Sequence, residues 1–491
     1  MFDFSILVIS LAQQQQLIIE VTNLLNVKFA QFVTLIEQLI LFSVAGMPLI
    51  ILWLIAGGIF CTLRFGFINI RAFKHALDVL LGKYDTLDEV GEVSHFQALA
   101  TALSATVGVG NIAGVAIAIR LGGAGAVFWM TIAGFLGMSI KFVECTLGQK
   151  YRSIRPDGST AGGPMYYLSV GLDKQGMPRL GKILGASYAL LCLLGSFGGS
   201  NMFQANQSYA AAAHILPWLA DFNWLYGIFL AFLVGMVIIG GIKRISAVAA
   251  RIVPLMAGIY LATCLWVVVV NLELIPVAIH TIIRQAITPE AGYGGVVGVL
   301  IMGYRRSVFS NAAGVGSAAI AHAAARTQEP VREGIVASLE PLIDTIIICN
   351  LTALVIVITG IYQENTVISG SQLTVTSFAS VISWFPYIIG LTVFLFAFST
   401  LISCSYYGER AWAYLLGERS LIIYKLIFLF CIFLGSIFKL GVVLDFSDMM
   451  YLAMTVPNLL GCFLMSNQVA RDLGDYMQRL GSGKMDQRIG C

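Results

Sequence analysis

Two eight-residue stretches decide the fold of this chain: NIAGVAIA at residues 111–118 and NAAGVGSA at residues 311–318. Five of their eight positions are identical, and the two stretches begin 200 residues apart. Each lies in the middle of a long apolar run and follows a segment of small or hydroxylated residues, at 104–110 and 307–310. Because Gly, Ser and Thr weaken a helix, we predict that both runs are helices interrupted halfway along their length.

The composition around these stretches is strongly apolar. Of 491 residues, 58% are hydrophobic and 11% are charged, whereas soluble domains carry about 25% charged residues. This favours a membrane protein. A net charge of +3 without a basic block argues against a nucleic-acid partner. The nine Cys stand singly and predict neither a zinc site nor a disulfide framework, and the five His predict no cluster of ligands.

Apolar runs of about 20 residues are long enough to cross a bilayer. We find eleven of them, at residues 41–61, 96–119, 126–148, 183–211, 224–241, 247–270, 294–321, 336–358, 384–405, 421–438 and 446–465. With the N-terminus outside, the inner segments carry 22 Lys and Arg and the outer segments carry 4. Inner loops are enriched in Lys and Arg. The pattern predicts a multi-pass protein of the cell (inner) membrane with a cytoplasmic C-terminus.

The spans divide the chain into segments. We predict an external amphipathic segment at 1–40, a leading transmembrane helix at 41–61, five-helix repeats at 96–270 and 294–465, and a cytoplasmic tail at 466–491. The two interrupted helices enter from opposite sides, so the repeats are inverted. Inverted repeats with discontinuous helices are typical of secondary transporters, which bind substrate at the midplane between them. Unwound backbone in a membrane lines a cavity, so the interruptions predict the substrate site.

Further motifs extend along most of the chain. They are TVGVGNIAGVA at 106–116, KFVECTL at 141–147, GGPMYYL at 162–168, NMFQAN at 201–206, FSNAAGVGS at 309–317, IDT at 343–345 and FSTLISCSYYGER at 398–410. On these motifs the chain resembles the alanine or glycine:cation symporter family, which comprises sodium/alanine symporters and amino acid carrier proteins. The resemblance implies an all-α, LeuT-like fold of eleven transmembrane helices, with one leading helix, a five-plus-five inverted repeat and two discontinuous helices.

The sequence departs from the family pattern at three positions. Val109 stands where the family usually has Thr, Ala312 where it has Glu, and Cys404 where it has Trp. The first two changes remove polar groups near the predicted site. The third change leaves more space at the pocket wall. Together the three changes affect the expected substrate size and ion binding.

A zwitterionic substrate needs polar partners at both of its ends. The unwound turn at 107–110 offers backbone N–H groups and a helix N-terminus to a carboxylate, and Gly108 and Gly110 permit a close approach. Asn111 and Asn311 either contact the substrate or brace the unwound segments against neighbouring helices. The resemblance makes Gln204 a substrate contact. The predicted substrate-binding set is Thr106, Gly108, Gly110, Asn111, Gln204, Ser310, Asn311, Gly314 and Cys404.

A sodium ion prefers oxygen ligands, as other hard cations do. Ser399 and Thr400, with the backbone of Ala105 and Gly108, form a predicted sodium site. Membrane hydroxyls often bond only to their own helix, and the resemblance favours the ion. No cofactor other than the coupling ion is predicted. For other charged residues in apolar runs, we predict that Asp344 joins a network with a neighbouring helix.

The second charged residue of this kind is Glu144, which stands three residues after Lys141. Residues at this spacing are neighbours on one face of a helix. We therefore predict that the two side chains pair along the helix surface.

These features favour sodium-coupled symport of a small neutral amino acid by alternating access. The substrate is of the alanine or glycine class, or a larger one such as glutamine. A proton-coupled amino acid transporter is the alternative, and a channel is less supported because no charged ring is present. Enzyme motifs such as GxSxG and HExxH, and the ATP-binding GxxxxGK[ST] loop, are absent. The predicted partners are therefore the amino acid, sodium and the lipid bilayer.

Overall fold

The computed structural model describes residues 27–38, 40–44, 46–84, 90–156, 158–287, 292–364, 370–483 and 485. A first helix, α1, covers 27–38, so it overlaps the predicted amphipathic segment, whose first 26 residues lie outside the described residues. A small hairpin follows, in which Ser43–Val44 (β1) pairs with Met47–Pro48 (β2) around Gly46 at φ +81°. Helix α2 then runs over Leu49–Arg64. The leading helix therefore begins at Leu49 rather than at residue 41, because Pro48 and the turn precede it.

Helices make up most of the remaining chain. In order they are α3 Ile68–Arg71, α4 Phe73–Leu80, α5 His95–Thr106, α6 Ala113–Gly122, α7 Ala126–Lys150, α8 Pro164–Tyr166, α9 Pro178–Phe197, α10 Phe203–Ile215, α11 Asn223–Ile238, α12 Gly241–Val270, α13 Ile275–Ile287, α14 Gly292–Asn311, α15 Ala318–His322, α16 Pro330–Ala337, α17 Asn350–Thr359, α18 Ser371–Ala379, α19 Phe385–Leu416, α20 Leu421–Ile437 and α21 Leu440–Gly481. A second hairpin pairs Ser153–Ile154 (β3) with Thr160–Ala161 (β4).

Many of these helices are long and apolar enough to cross a bilayer. Within the described part of the chain seven pass that test, namely Ala126–Lys150, Pro178–Ile215, Gly241–Val270, Pro330–Thr359, Phe385–Leu416, Glu418–Ile437 and Leu440–Gly481. The bent pair of α5 with the segment Val109–Gly122 passes the test when the two are taken together, which gives up to eight spans, and α2 and α11 are shorter apolar helices. The protein is thus an all-helical, multi-pass membrane protein.

The two predicted interruptions are present in the structure. At the first, α5 and the segment Val109–Gly122 are bent by 56°, and that segment begins with the short turn Val109–Asn111 ahead of α6. The second separates α14 from α15 and has left-handed backbone at Ala312 (φ +52°), Gly314 (φ +87°) and Gly316 (φ +85°). Such a conformation is strained for Ala312, which carries a Cβ, by about 1–2 kcal/mol. The second interruption is therefore the more distorted of the two.

Two π-helical segments widen the helices beside these interruptions. Gly198–Met202 joins α9 to α10, and Leu342–Cys349 joins α16 to α17. Single π-turns are frequent at functional sites because they reorient side chains within a helix. At the end of the chain, α21 continues to Gly481, so much of the segment predicted as a tail from residue 466 extends the last helix.

Candidate functional site

The first interruption is held by two side-chain amides. The Gly108 N–H donates to Asn111 Oδ1 at 2.9 Å, and the Val109 N–H donates to Gln204 Oε1 at 3.0 Å. The Gln204 amide nitrogen in turn donates to the Gly199 carbonyl at 3.0 Å. The Gly108 and Val109 N–H groups, which belong to the turn assigned to a substrate carboxylate, thus already have acceptors. A carboxylate at Val109 has to replace the Gln204 oxygen.

The second interruption has its own side-chain partners. Asn311 Oδ1 accepts a hydrogen bond from the Ala313 N–H at 2.9 Å, and its Nδ2 donates to Thr345 Oγ1 at 2.9 Å. The carbonyl of Gly314 accepts from Asn458 Nδ2 at 2.7 Å. The bracing alternative for Asn311 fits these contacts. Gly314 packs against α2, because a Cβ there would lie 2.9 Å from Leu54.

Asp344 connects the two interruptions. It lies in the π-helical segment after α16 and is fully buried. Asn111 Nδ2 donates to its Oδ1 at 2.6 Å, and Ser310 Oγ donates to its Oδ2 at 2.7 Å. The predicted network role of Asp344 is therefore confirmed. Because the Asp344 carboxylate accepts hydrogen bonds from both interruptions, a displacement of one interrupted helix would strain the hydrogen bond to the other.

A narrow cavity lies between the interruptions. Its volume is about 20 Å³, room for about one water molecule, so an amino acid enters only if the walls move apart. The lining consists of Ala105, Thr106, Cys192, Gly195, Ser196, Ser200, Phe309, Ser310, Ala312, Ser317, Cys404, Tyr407, Tyr451 and Met454. Of the predicted substrate residues, Thr106, Ser310 and Cys404 are in this wall. The others do not line it, and they form the two interruptions or bond to them.

Tyr407 is a cavity residue that the sequence analysis did not select. Its side chain is 4% exposed, and its hydroxyl finds no hydrogen-bond partner among the described residues. A buried hydroxyl without a partner costs about 1–3 kcal/mol, so this group suits a polar ligand. Helical spacing could have identified it, because Tyr407 follows Cys404 by three residues and shares its face of α19.

Hydroxyl and carbonyl oxygens gather where α5 packs against α19. Thr400 Oγ1 donates to the Ser104 carbonyl at 3.0 Å, and Ser104 Oγ donates to the Ser399 carbonyl at 2.7 Å. A Cβ on Gly108 would lie 2.3 Å from Thr400 Oγ1, so these residues touch. The Ser399 hydroxyl bonds to the Phe396 carbonyl on its own helix at 3.0 Å. The donor set consists of oxygens, which is the chemistry that sodium prefers.

Ser104 takes part in this group although the sequence analysis did not select it. Ser403 Oγ donates to its hydroxyl at 2.8 Å. The nearby carbonyl of Ala105 accepts a weak hydrogen bond from Cys404 Sγ at 3.7 Å. The predicted ion site and the wall of the cavity are therefore adjacent along α5 and α19.

An ion-pair group lies beside the cavity on α14 and α21. Arg305 Nη2 is 2.8 Å from Asp448 Oδ2, and Arg306 pairs with the same oxygen. The Arg306 guanidinium lies 5.1 Å from the centre of the Phe309 ring, which lines the cavity. The group therefore joins the two helices through a ring in the cavity wall.

The predicted pairing of Glu144 with Lys141 is wrong. Lys141 Nζ bonds to Glu340 Oε2 at 2.9 Å, while Glu144 accepts from Asn458 Nδ2 at 2.5 Å. Spacing along one helix suggested the pair, but both side chains find partners on different neighbouring helices. The interhelical partners are favoured over a pair along one helix because they supply hydrogen bonds to the buried Lys141 and Glu144 side chains, which are out of contact with water.

Comparison with known proteins settles the family. A family model described as the sodium:alanine symporter family matches residues 29–489. The chain belongs to this family. Its relatives include the sodium/alanine symporter AgcS of Methanococcus maripaludis, 40% identical over 431 residues, covering 87% of this chain and 93% of the relative. The probable sodium/glutamine symporter GlnT of Bacillus subtilis is 35% identical over 439 residues and covers 89% of each chain.

As a member of the sodium:alanine symporter family, the protein is a transporter and not an enzyme. The family resemblance predicted from the motifs is thus confirmed. Among solved structures, MhsT in complex with L-phenylalanine matches with a TM-score of 0.53 and 13% sequence identity, over 79% of this chain and 93% of the other. This likeness concerns the fold alone.

Proposed function

We propose that this family member couples inward sodium movement to the uptake of a small neutral amino acid of the alanine or glycine class by alternating access. The observation that carries the proposal is the position of the cavity. It lies between two interrupted helices and next to the oxygen group on α5 and α19. Substrate and ion would therefore both contact the α5 backbone, so that binding of one affects the position of the groups that bind the other.

The same proposal includes the full architecture of eleven spans. A leading helix α2 precedes inverted five-helix repeats at 96–270 and 294–465, with the N-terminus outside and the C-terminus cytoplasmic. The repeated stretches at 111–118 and 311–318 and the distribution of Lys and Arg support it. The use of an Asn side chain to hold backbone at both interruptions adds a structural parallel.

The substrate carboxylate is proposed to bind at the first interruption. It would replace Gln204 Oε1 on the Val109 N–H, beside Gly108 and Gly110, which carry no Cβ to obstruct its approach. The hydroxyls of Thr106 and Tyr407 lie in the cavity wall and offer further polar contacts. Alanine and glycine require the least separation of the cavity walls, which favours them as substrates.

A larger substrate such as glutamine is the second candidate. Cys404, smaller than the usual Trp of the family pattern, lies in the cavity wall and leaves room beside the substrate. The relative GlnT is named a probable sodium/glutamine symporter, which supports testing glutamine beside alanine.

The sodium ion is proposed to bind between α5 and α19. Its ligands are the hydroxyls of Ser399 and Thr400 with the backbone of Ala105 and Gly108, and the Ser104 carbonyl joins them. One sodium moving inward down about 100 mV gains about 2.3 kcal/mol. A tenfold concentration gradient adds about 1.4 kcal/mol. Together these sustain a substrate ratio of several hundredfold at most.

The test is uptake of a labelled amino-acid panel by proteoliposomes at fixed pH, with external sodium or with choline in its place. We expect alanine or glycine to accumulate only with an inward sodium gradient. Equal accumulation in choline would overturn sodium coupling and favour the proton-coupled alternative. Unitary currents above the turnover of a transporter would favour a channel.

A further inference from the structure

A second polar group has no member in the cavity wall and is not used by the proposed transport site. We name it the His322 cluster, and its members are His95, Lys141, His322, Glu333 and Glu340. Every member is at most 3% exposed. They come from α5, α7, α15 and the span Pro330–Thr359. The sequence predicted no cluster of ligands around the five His, yet the fold brings two of them to one carboxylate.

The contacts of the cluster form a continuous chain. His322 Nδ1 lies 2.5 Å from Glu333 Oε1, and His322 Nε2 lies 2.6 Å from Glu340 Oε1. The other oxygen of Glu333 bonds to His95 Nδ1. The other oxygen of Glu340 accepts from Lys141 Nζ at 2.9 Å. Glu333 therefore joins α5, which precedes the first interruption, to α15, which follows the second.

These distances fix the number of protons in the cluster. A neutral imidazole has one N–H donor and one bare nitrogen. Here both ring nitrogens lie at hydrogen-bond distance from carboxylate oxygens, which do not donate when ionised. Each of the two hydrogen bonds needs its own proton. A neutral His322 supplies one proton and two ionised carboxylates supply none, so one further proton is required. Glu340 also accepts from Lys141 Nζ, and the other oxygen of Glu333 lies against His95 Nδ1, which favours the ionised carboxylates and places the extra proton on His322.

The charge balance leads to the same protonation state. With His95 neutral, Lys141 and a protonated His322 offset the two carboxylates, so the buried cluster is neutral. Without that proton, a net negative charge would remain in a fully buried place, which is expensive. The other titratable groups on the neighbouring elements are Glu144 and Cys145 on α7, Tyr407 on α19, and Arg152 just after α7. The Arg152 guanidinium donates to the backbone carbonyls of Ala323, Ala325 and Thr327, so the proton on His322 remains the charge that balances the cluster.

We propose that His322 is a proton-binding site whose proton stays bound during transport and positions the interrupted helices. The bound proton holds Glu333 between His95 and His322, so α5 and α15 move as one body around the cavity. Loss of the proton sets a bare nitrogen against a carboxylate and loosens both helices. The proposal adds a resident proton to the transport cycle, beside the sodium and amino acid of the proposed function.

Protonation is measured first on the purified full chain. Labelling with ¹⁵N-histidine gives a small set of ring signals because the chain has five His, and His322→Gln identifies the signal of His322. We expect two protonated ring nitrogens on His322 at neutral pH. A neutral His322 ring at that pH overturns the proposal. This measurement does not depend on the transported substrate, so its failure is distinct from failure of the proposed function.

The pH profile of sodium-driven alanine uptake is the second test. Above its midpoint, loss of one proton predicts a fall of about tenfold per pH unit in the wild type. His322→Gln removes the titrating group, so the alkaline fall disappears and uptake is lower at all pH values. His280→Gln, at an exposed position of α13, is the matched control and keeps the wild-type profile. An unchanged alkaline fall in His322→Gln overturns the proposal.

A second variant covers the case in which His322→Gln fails to fold. Glu340→Gln removes one carboxylate, so a neutral His322 balances the charge and the alkaline fall is again lost. Proton entry during alanine uptake is followed with an internal pH dye. We expect no protons to move with the amino acid, and a fixed number of protons per alanine overturns the resident site.

Discussion

The two interrupted helices use the same residue type in opposite directions. At the first interruption, Asn111 reaches back to hold the N–H of Gly108. At the second, Asn311 reaches forward to hold the N–H of Ala313. The first contains no left-handed residue, whereas the second has three, at Ala312, Gly314 and Gly316. Similar sequences thus give a turn without left-handed residues at the first interruption and a turn with three of them at the second.

The neighbours of the two turns differ in kind. The first faces Gln204 and Thr400, whose polar atoms lie next to the cavity and the oxygen group. The second is held through the Gly314 carbonyl by Asn458, which also donates to buried Glu144. We infer that the first turn binds ligands and that the second anchors the fold. Substitutions should therefore separate transport from stability.

The largest effect is expected for Gly108→Ala. The added Cβ would lie 2.3 Å from Thr400 Oγ1 and 3.2 Å from Gln204 Oε1, so the turn has to shift. A displacement of this size at a binding site lowers rates by about a hundredfold, measured as initial sodium-driven uptake. Gly114→Ala is the matched control, because a Cβ there meets nothing within 4 Å. Equal uptake by both variants would refute a binding role for the first turn.

Asn458→Ala tests the anchoring role of the second turn. The change removes the Asn458 amide that donates to the Gly314 carbonyl and to the Glu144 carboxylate, so we expect a loss of about 1–3 kcal/mol in the free energy of unfolding. Thermal unfolding in detergent measures it, with Asn467→Ala at an exposed position of the same helix as control. The sodium affinity of the folded variant should not change. A lowered sodium affinity at wild-type stability would reverse the assignment of the two turns.

Thr400→Ala tests the sodium site at the first turn. Loss of one oxygen ligand should raise the sodium concentration for half-maximal uptake about tenfold, equivalent to about 1.4 kcal/mol, and change the alanine KM less. Thr392→Ala removes a hydroxyl that bonds only to its own helix in α19, at 2.7 Å from the Ile388 carbonyl, and serves as control. Unchanged sodium affinity in Thr400→Ala contradicts the site.

An effect of about the same size as that of Thr400→Ala is expected for Cys404→Trp, which refills the cavity wall. Competition by larger amino acids such as glutamine should weaken about tenfold relative to alanine and glycine, in line with the discrimination that apolar pockets achieve. Cys404→Ser keeps the volume and should keep the wild-type preference. If the competition profile of the Trp variant does not move, Cys404 does not limit substrate size.

The sequence predicted those features that depend on local composition. The interruption between Thr106 and Ala113 follows from helix-weakening residues, and the role of Asp344 follows from a lone charge in an apolar run. The leading helix was placed too early, because the hairpin ahead of Leu49 is short and apolar. The count of eleven spans and the inverted repeats stay predictions.

Features that depend on contacts between distant helices could not be predicted. His95 and Glu333 are 238 positions apart, and Lys141 and Glu340 are 199 apart. Their pairing follows only from how α5 and α7 pack against the span Pro330–Thr359. For the same reason, helical spacing suggested the wrong partner for Glu144, whose carboxylate bonds to Asn458 on α21.

The most direct test of sodium coupling is the simultaneous flux of radioactive sodium and labelled alanine into the same proteoliposomes. External alanine should speed sodium entry, and the ratio of the two fluxes should stay constant as the alanine concentration is varied. Sodium entry that does not respond to alanine, while alanine still enters, would contradict the shared use of α5 by ion and substrate.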